Sequence, residues 1–122
     1  MIIYYILKGM IKIELWQEIE ELMKDLEKTL SEYKKYNKEY AENEYKYRTA
    51  LSKRLTQLRA EGQAVTHLAD IARGEEEIAR LRYKRDISEG LKKSAEEGIN
   101  FYKLYARLKE GQLNREYGNT KG

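Results

Sequence analysis

The sequence predicts an all-α protein: a long antiparallel helical hairpin of coiled-coil type, with a short helix in its connector, expected to oligomerise into a helical bundle. Three observations carry this. The run Ile11–Glu61 holds no glycine and no proline over about fifty residues. A second helical stretch, Glu75 to Tyr117, is nearly as long. Charged residues make up 37% of the 122-residue chain, and proline is absent, as in long-helix proteins. The chain therefore reads as one domain, 1–122, divided into an N-terminal segment 1–9, a long helix 11–61, a connector 62–74, a second long helix 75–117 and a tail 118–122.

Residues 1–9 open on Met1-Ile-Ile-Tyr-Tyr-Ile-Leu7, read as an apolar arm or extended start before Lys8-Gly9. This run is far short of the roughly twenty apolar residues that span a bilayer, and it lacks the charge pattern of a secretory signal. No membrane partner is expected. In the long helix, Leu15, Ile19, Leu22, Leu26, Leu30, Tyr33, Tyr36 and Tyr40, then Tyr47, Leu51, Leu55 and Leu58, recur at steps of three and four. That spacing keeps one stripe on one face. The stripe lapses at Asn43 and Glu44, where an inward polar position predicts a loosening, a water or a polar contact between helices.

Gly62 sits where the first helix ends, because glycine accepts the left-handed conformation that closes a last turn. In the connector, Thr66 is placed to cap a short helix, His67 to Ala72, with its hydroxyl, and Gly74 to end it. Glu75, Glu76 and Glu77 then complement the free N–H groups at the start of the next helix. That helix carries Ile78, Leu81, Ile87, Leu91, Ala95, Ile99, Tyr102, Tyr105, Leu108 and Leu113. Gly90, Ser94 and Gly98, spaced by four, form a smooth strip that a neighbouring helix could approach closely.

Two helices cannot wrap a core around themselves, so burial is expected to come from a second copy. A homodimer or higher oligomer follows, with Leu22, Leu26, Leu30, Leu91, Gly90, Ser94, Ala95 and Gly98 as its packing residues.

The chemistry is bounded by elimination. Cysteine is absent, which removes thiol nucleophiles, disulfides and thiolate metal sites. His67 is the single histidine, leaving no ligand set and no triad partner. Neither glycine-rich phosphate motif occurs. Carboxylate groups such as Glu18, Glu21 and Asp25 read as solvated helix faces. No enzyme activity, catalytic residue, metal or cofactor is expected.

Charge placement is the informative feature. Residues 1–45 hold seven Lys or Arg against ten Asp or Glu, a net of −3, so the chain total of +3 leaves +6 for residues 46–122. Lys46, Arg48, Lys53, Arg54 and Arg59 occur with no intervening acid, and Arg80, Arg82, Lys84 and Arg85 follow the connector. A hairpin would bring these segments together as a basic tip. Guanidinium groups suit phosphate or carboxylate because each fork binds two oxygens at once. The candidate partner-binding residues are Arg54, Arg59, Arg73, Arg80, Arg82 and Arg85. An acidic protein surface, a nucleic-acid complex or nucleic acid itself would fit them, with Tyr45, Tyr47 and Tyr83 near enough in sequence to stack on bases.

The stretch Leu58-Arg59-Ala60-Glu61-Gly62, with Val65-Thr66, Asp70-Ile71-Ala72-Arg73-Gly74 and Leu81-Arg82-Tyr83-Lys84-Arg85-Asp86, resembles small helical proteins encoded in phages and prophages of Gram-positive bacteria. Such proteins are often encoded near recombination or single-strand-binding genes. The resemblance covers roughly residues 45–115 and carries no catalytic residues. It implies a phage protein in the host cytoplasm that works by binding, either as an inhibitor of a nucleic-acid-processing or defence complex or as an accessory to phage DNA metabolism. The alternatives are direct DNA or RNA binding in recombination or replication, and a purely structural assembly protein.

Overall fold

A computed structural model describes residues 1–117, and these are all-helical. The expected tail, 118–122, lies outside the described residues. Helix α1 spans Ile2–Ala60, a single 3-10 turn covers Val65–His67, α2 spans Leu68–Gly74 and α3 spans Glu76–Tyr117.

The arm or extended start expected for residues 1–9 is instead the first turns of α1, opened by a bond from the Tyr5 N–H to the Met1 carbonyl (3.3 Å). No residue there blocks a helix, and a lone Gly9 costs only about 1 kcal/mol against alanine. At the far end, Gly62 takes φ 84° as its sequence position demands. Its N–H bonds the Arg59 carbonyl (3.1 Å), and the Gln63 N–H reaches back to the Leu58 carbonyl (3.2 Å), satisfying two carbonyls of the last turn.

The connector departs from expectation in its capping. Thr66 lies inside the 3-10 turn rather than at a cap, and the residue preceding α2, His67, makes no side-chain cap bond. The short helix runs Leu68–Gly74 rather than His67–Ala72, because Leu68 and Ala72 are drawn onto α1. Gly74 is its last residue, and the chain turns at Glu75 through an extended conformation (φ −70°, ψ 140°). The Glu75 carbonyl accepts from the Ala79 N–H (2.8 Å), leaving Glu76 and Glu77 as the acids of the first turn of α3.

The chain divides into two compact units. One, Tyr33–Ser94, contains the end of α1, all of α2 and the start of α3. Its core is Leu58, Leu68 and Ala72, with Leu51 and Leu55 packed against them, and Tyr47 and Ile78 are buried as well. Here the lapse in the apolar stripe is filled by a polar contact between helices. The Asn43 Nδ2 donates to the Ser88 Oγ (2.5 Å), and that buried hydroxyl donates in turn to the Lys84 carbonyl (2.8 Å). Contact partners in this unit descend in sequence as α1 ascends: Asn43 with Ser88 and Glu44 with Arg85 of α3, then Arg54 with Glu75 just before α3.

The other unit joins Met1–Glu32 to the chain from Ala95 onward. It buries Leu15, Ile19, Leu22 and Leu26 of α1 and Ala95 and Ile99 of α3. Leu22, Leu26 and Ala95, expected to pack against a second copy, are thus buried by their own chain. Of the small-residue strip, only Gly98 meets a neighbour: a Cβ there would lie 3.2 Å from the Thr29 Cγ2. Gly90 has nothing within 4 Å, and Gly90 and Ser94 are exposed, as are Leu30 and Leu91. The Lys109 Nζ pairs with Glu18 at 2.9 Å.

Candidate functional site

One face of α1 between positions 47 and 59 carries Arg48, Ser52, Leu55 and Arg59 at steps of four, three and four, so these residues line up along the helix. With Leu51 and Thr56 they form one side of a groove of about 720 Å³. Arg73 of α2 and Arg82 and Arg85 of α3 line the rest, and Tyr47 is the aromatic in the lining. The groove holds five arginines and no carboxylate among its lining residues. Leu51 and Leu55 give it a partly apolar floor because they lean onto the Leu58, Leu68 and Ala72 cluster.

The arginines are not equivalent. Arg85 is the most enclosed, its side chain 17% exposed. Its Nε and Nη2 donate to the Asp86 Oδ1 (3.1 and 2.8 Å), and its Nη1 lies 3.5 Å from the Glu44 Oε2. Its guanidinium sits 4.6 Å from the centre of the Tyr47 ring, a cation–π contact. Asp86 foremost, opposed by desolvation and aided by Glu44, holds the Arg85 pKa above its ordinary value. Arg85 is therefore a neutralised wall of the groove. Buried Glu44 Oε2 accepts no hydrogen bond, which leaves the nearby Arg85 charge as its compensation.

Arg48 donates to the other Glu44 oxygen, yet its side chain is 74% exposed. Arg73 stands 3.9 Å from Asp70, at the limit of an ion pair and open to solvent, where such pairs contribute little. Arg59 and Arg82 are exposed and form no ion pair among the described residues, and they supply most of the uncompensated positive charge.

Two of the six candidate arginines lie elsewhere. The Arg54 Nε donates to both Glu75 carboxylate oxygens (2.8 and 2.9 Å), its Nη1 to the Gln57 Oε1 (3.3 Å), and Glu61 lies 3.8 Å away. This ties α1 to the residue between α2 and α3, in a separate hollow of about 420 Å³ that also carries Glu76 and Glu77. Arg80 is exposed and outside the groove lining, because two residues along a helix turn a side chain by more than half a revolution from Arg82. Arg48 belongs to the groove although it was not among the candidates. Its spacing of eleven from Arg59 was the signal that could have placed it there.

Of the tyrosines near the basic run, Tyr47 is buried under Arg85 and cannot stack on a base, whereas Tyr45 and Tyr83 are exposed outside the groove. Among the described residues there is no group of three or more His, Asp or Glu side chains that could hold a metal ion, and no helix is long and apolar enough to cross a membrane. The chain matches no family model, no curated protein and no solved structure.

Proposed function

We propose that this chain is a non-enzymatic binding protein, an oligomeric helical hairpin whose arginine groove engages an acidic or phosphate-bearing surface on a nucleic-acid-processing or defence complex. The observation that carries the reading is the groove itself: five arginines, a leucine floor and no carboxylate in the lining. Guanidinium forks around a partly apolar floor suit oxygen anions, because each can bind two oxygens at once. The descending order of contacts supports the hairpin. The resemblance to small phage proteins supplies the setting, the cytoplasm of a bacterial host, where such a protein acts as inhibitor or accessory.

The decisive variant is Arg59→Glu with Arg82→Glu. These two arginines carry the uncompensated charge and hold no ion pair that the fold needs, whereas Arg54 and Arg85 brace it. In a pull-down from nuclease-treated lysate of a Gram-positive host, the wild-type chain should retain a dominant protein partner and the double variant should lose it, with circular dichroism unchanged. Equal capture by both would remove the groove from the function.

Direct nucleic-acid binding is the second reading, favoured by Arg48 and Arg59, eleven residues apart on one face of α1. It predicts affinity that falls steeply with salt, each phosphate contact adding about 0.9 to the log–log slope on duplex DNA. A chain that binds neither single- nor double-stranded oligonucleotides at low salt excludes it. A purely structural assembly protein would bind copies of itself and be indifferent to the groove variant.

A further inference from the structure

The first turns of α1 have two faces. On the inner one, Tyr4, Leu7, Lys8 and Ile11 border a hollow of about 460 Å³ with Glu116 and Tyr117 of the last turn of α3, and the Lys8 Nζ lies 5.6 Å from the centre of the Tyr117 ring. On the outer one, Ile2, Ile6, Met10 and Ile13 recur at steps of four, four and three and are 76%, 56%, 53% and 59% exposed. At about 100° per residue they point roughly 130 to 170° away from the buried row Leu15, Ile19, Leu22 and Leu26, so α3 does not cover them.

Charge on this segment has one sign. Lys8 and Lys12 are the only charged side chains among residues 1–13, and neither forms an ion pair among the described residues. Tyr5, Lys8 and Lys12, at steps of three and four, share the flank between the two faces. The stretch of α3 that ends beside them, 107–117, holds Arg107, Lys109 and Arg115 against Glu110 and Glu116, so it adds no acidic surplus. The first acid of α1 is Glu14, and the first to fall on the outer row itself is Glu20, which ends it.

We infer that the outer row is a membrane-surface site: the first turns of α1 lie in the headgroup region of an anionic bilayer, with Ile2, Ile6, Met10 and Ile13 at the acyl boundary and Tyr5, Lys8 and Lys12 among the phosphates. An interfacial helix needs an apolar row flanked by such residues, because tyrosine rings and lysine stems bury their carbon and keep the polar end at headgroup level. The expectation of no membrane partner rested on the length needed to span a bilayer, and no described helix is long and apolar enough to cross one. A helix lying at the surface needs no span. A second copy is the poorer occupant. The row runs for about two heptads before Glu20, where a coiled coil sustains three or four, and two such segments would set lysine against lysine with no acid to answer it. The site is separate from the arginine groove and does not rest on what the groove binds.

The test is flotation of the full chain at low salt with vesicles of phosphatidylcholine alone and of phosphatidylcholine with phosphatidylglycerol. It is read beside the emission of Trp16, the only tryptophan, which is 54% exposed about one turn beyond Ile13. The chain should float with the mixed vesicles and not with the neutral ones, and the same mixed vesicles should move the Trp16 emission to the blue. Ile6→Glu with Met10→Glu, and separately Lys8→Glu with Lys12→Glu, should lower the bound fraction at least about tenfold with helicity unchanged, because each removes one of the two attractions. Arg59→Glu with Arg82→Glu, which alters the groove alone, should float as the wild type does. Where an α1 variant loses helicity, quenching of wild-type Trp16 by brominated lipid in the mixed vesicles decides, and its absence overturns the site. No flotation of the wild type, equal flotation with neutral vesicles, or flotation that both α1 variants keep would overturn it too, the last assigning the lipid to the arginines if the groove variant loses it. A lipid-free oligomer that Ile6→Glu with Met10→Glu reduces to a single copy would give the row to a second copy instead.

Discussion

The two units solve the same problem with different numbers of helices. In Tyr33–Ser94, α2 folds back on α1 beside α3, and the buried apolar residues retain 0 to 5% of their surface. In the other unit only α1 and α3 meet, and its buried residues retain 6 to 9%. A third helix closes over a contact that two helices leave rimmed by solvent. The surfaces differ in the same sense. The three-helix unit carries the arginine groove and exposes Tyr45, Val65 and Tyr83, whereas the two-helix unit exposes Trp16, Met23, Phe101 and Leu108. A short helix of seven residues thus gives one unit a more tightly closed core and a rim of charge that the other lacks.

The sharpest way to break this comparison is to remove a core leucine from each unit. Leu58→Ala should destabilise by about 3 kcal/mol, because Leu58 is held on several sides by Leu68, Ala72, Leu51 and Leu55 and the cavity cannot collapse. Leu22→Ala should cost less, nearer about 2 kcal/mol, because its row borders solvent. Urea unfolding followed by circular dichroism checks the order. If Leu22→Ala proves the costlier, the two-helix unit is better packed than its exposure implies, or a second copy covers that row.

A smaller effect comes from the two α3 glycines that shared a role in the sequence. Gly90→Ala should stabilise by up to about 1 kcal/mol, since the new methyl enters open space and the helix gains propensity. Gly98→Ala should gain less or lose, because its methyl would meet the Thr29 Cγ2 at 3.2 Å. Equal gains in thermal midpoint would mean that α1 and α3 are not held at that distance.

Much of this architecture was legible in residues. The absence of helix breakers between Ile11 and Glu61, Gly62 as a terminator and the triple glutamate before Ile78 placed three helices nearly where they lie. The polar interruption at Asn43 marked the place but left a loosening, a water and a polar contact open; the structure gives the contact, with Ser88. The groove was legible only as charge. Periodicity orders residues within a helix and says nothing of which acid another element brings, so the capture of Arg54 by Glu75 and of Arg85 by Asp86 and Glu44 was invisible. Periodicity places Leu30 and Leu108 in the inner row, where they are exposed instead, and Trp16, Met23, Phe101 and Leu104 fall between that row's positions.

Alkaline pH distinguishes the two units without any mutation. The braces of the three-helix unit, Arg54 and Arg85, are held above the ordinary guanidinium range, first by hydrogen bonds to Glu75 and Asp86, so they stay charged at any practical pH. In the two-helix unit, the hydrogen bond that Lys109 donates to Glu18 raises its pKa above the ordinary 10.5, and desolvation raises Tyr117 above its ordinary 10.0. Both groups bind their proton more tightly folded than unfolded. Their contribution is therefore fully present below the unfolded pKa and is lost as pH climbs through the folded values. The thermal midpoint should hold steady to about pH 9 and fall above about pH 10, with loss of signal from the two-helix unit first. Trp16 reports that unit, and circular dichroism reports both. Lys109→Arg keeps a charge on Glu18 at every pH and should flatten the decline, leaving the smaller part due to Tyr117. A decline that Lys109→Arg does not alter would place the alkaline sensitivity elsewhere and deny the Glu18–Lys109 pair a part in holding α1 to α3.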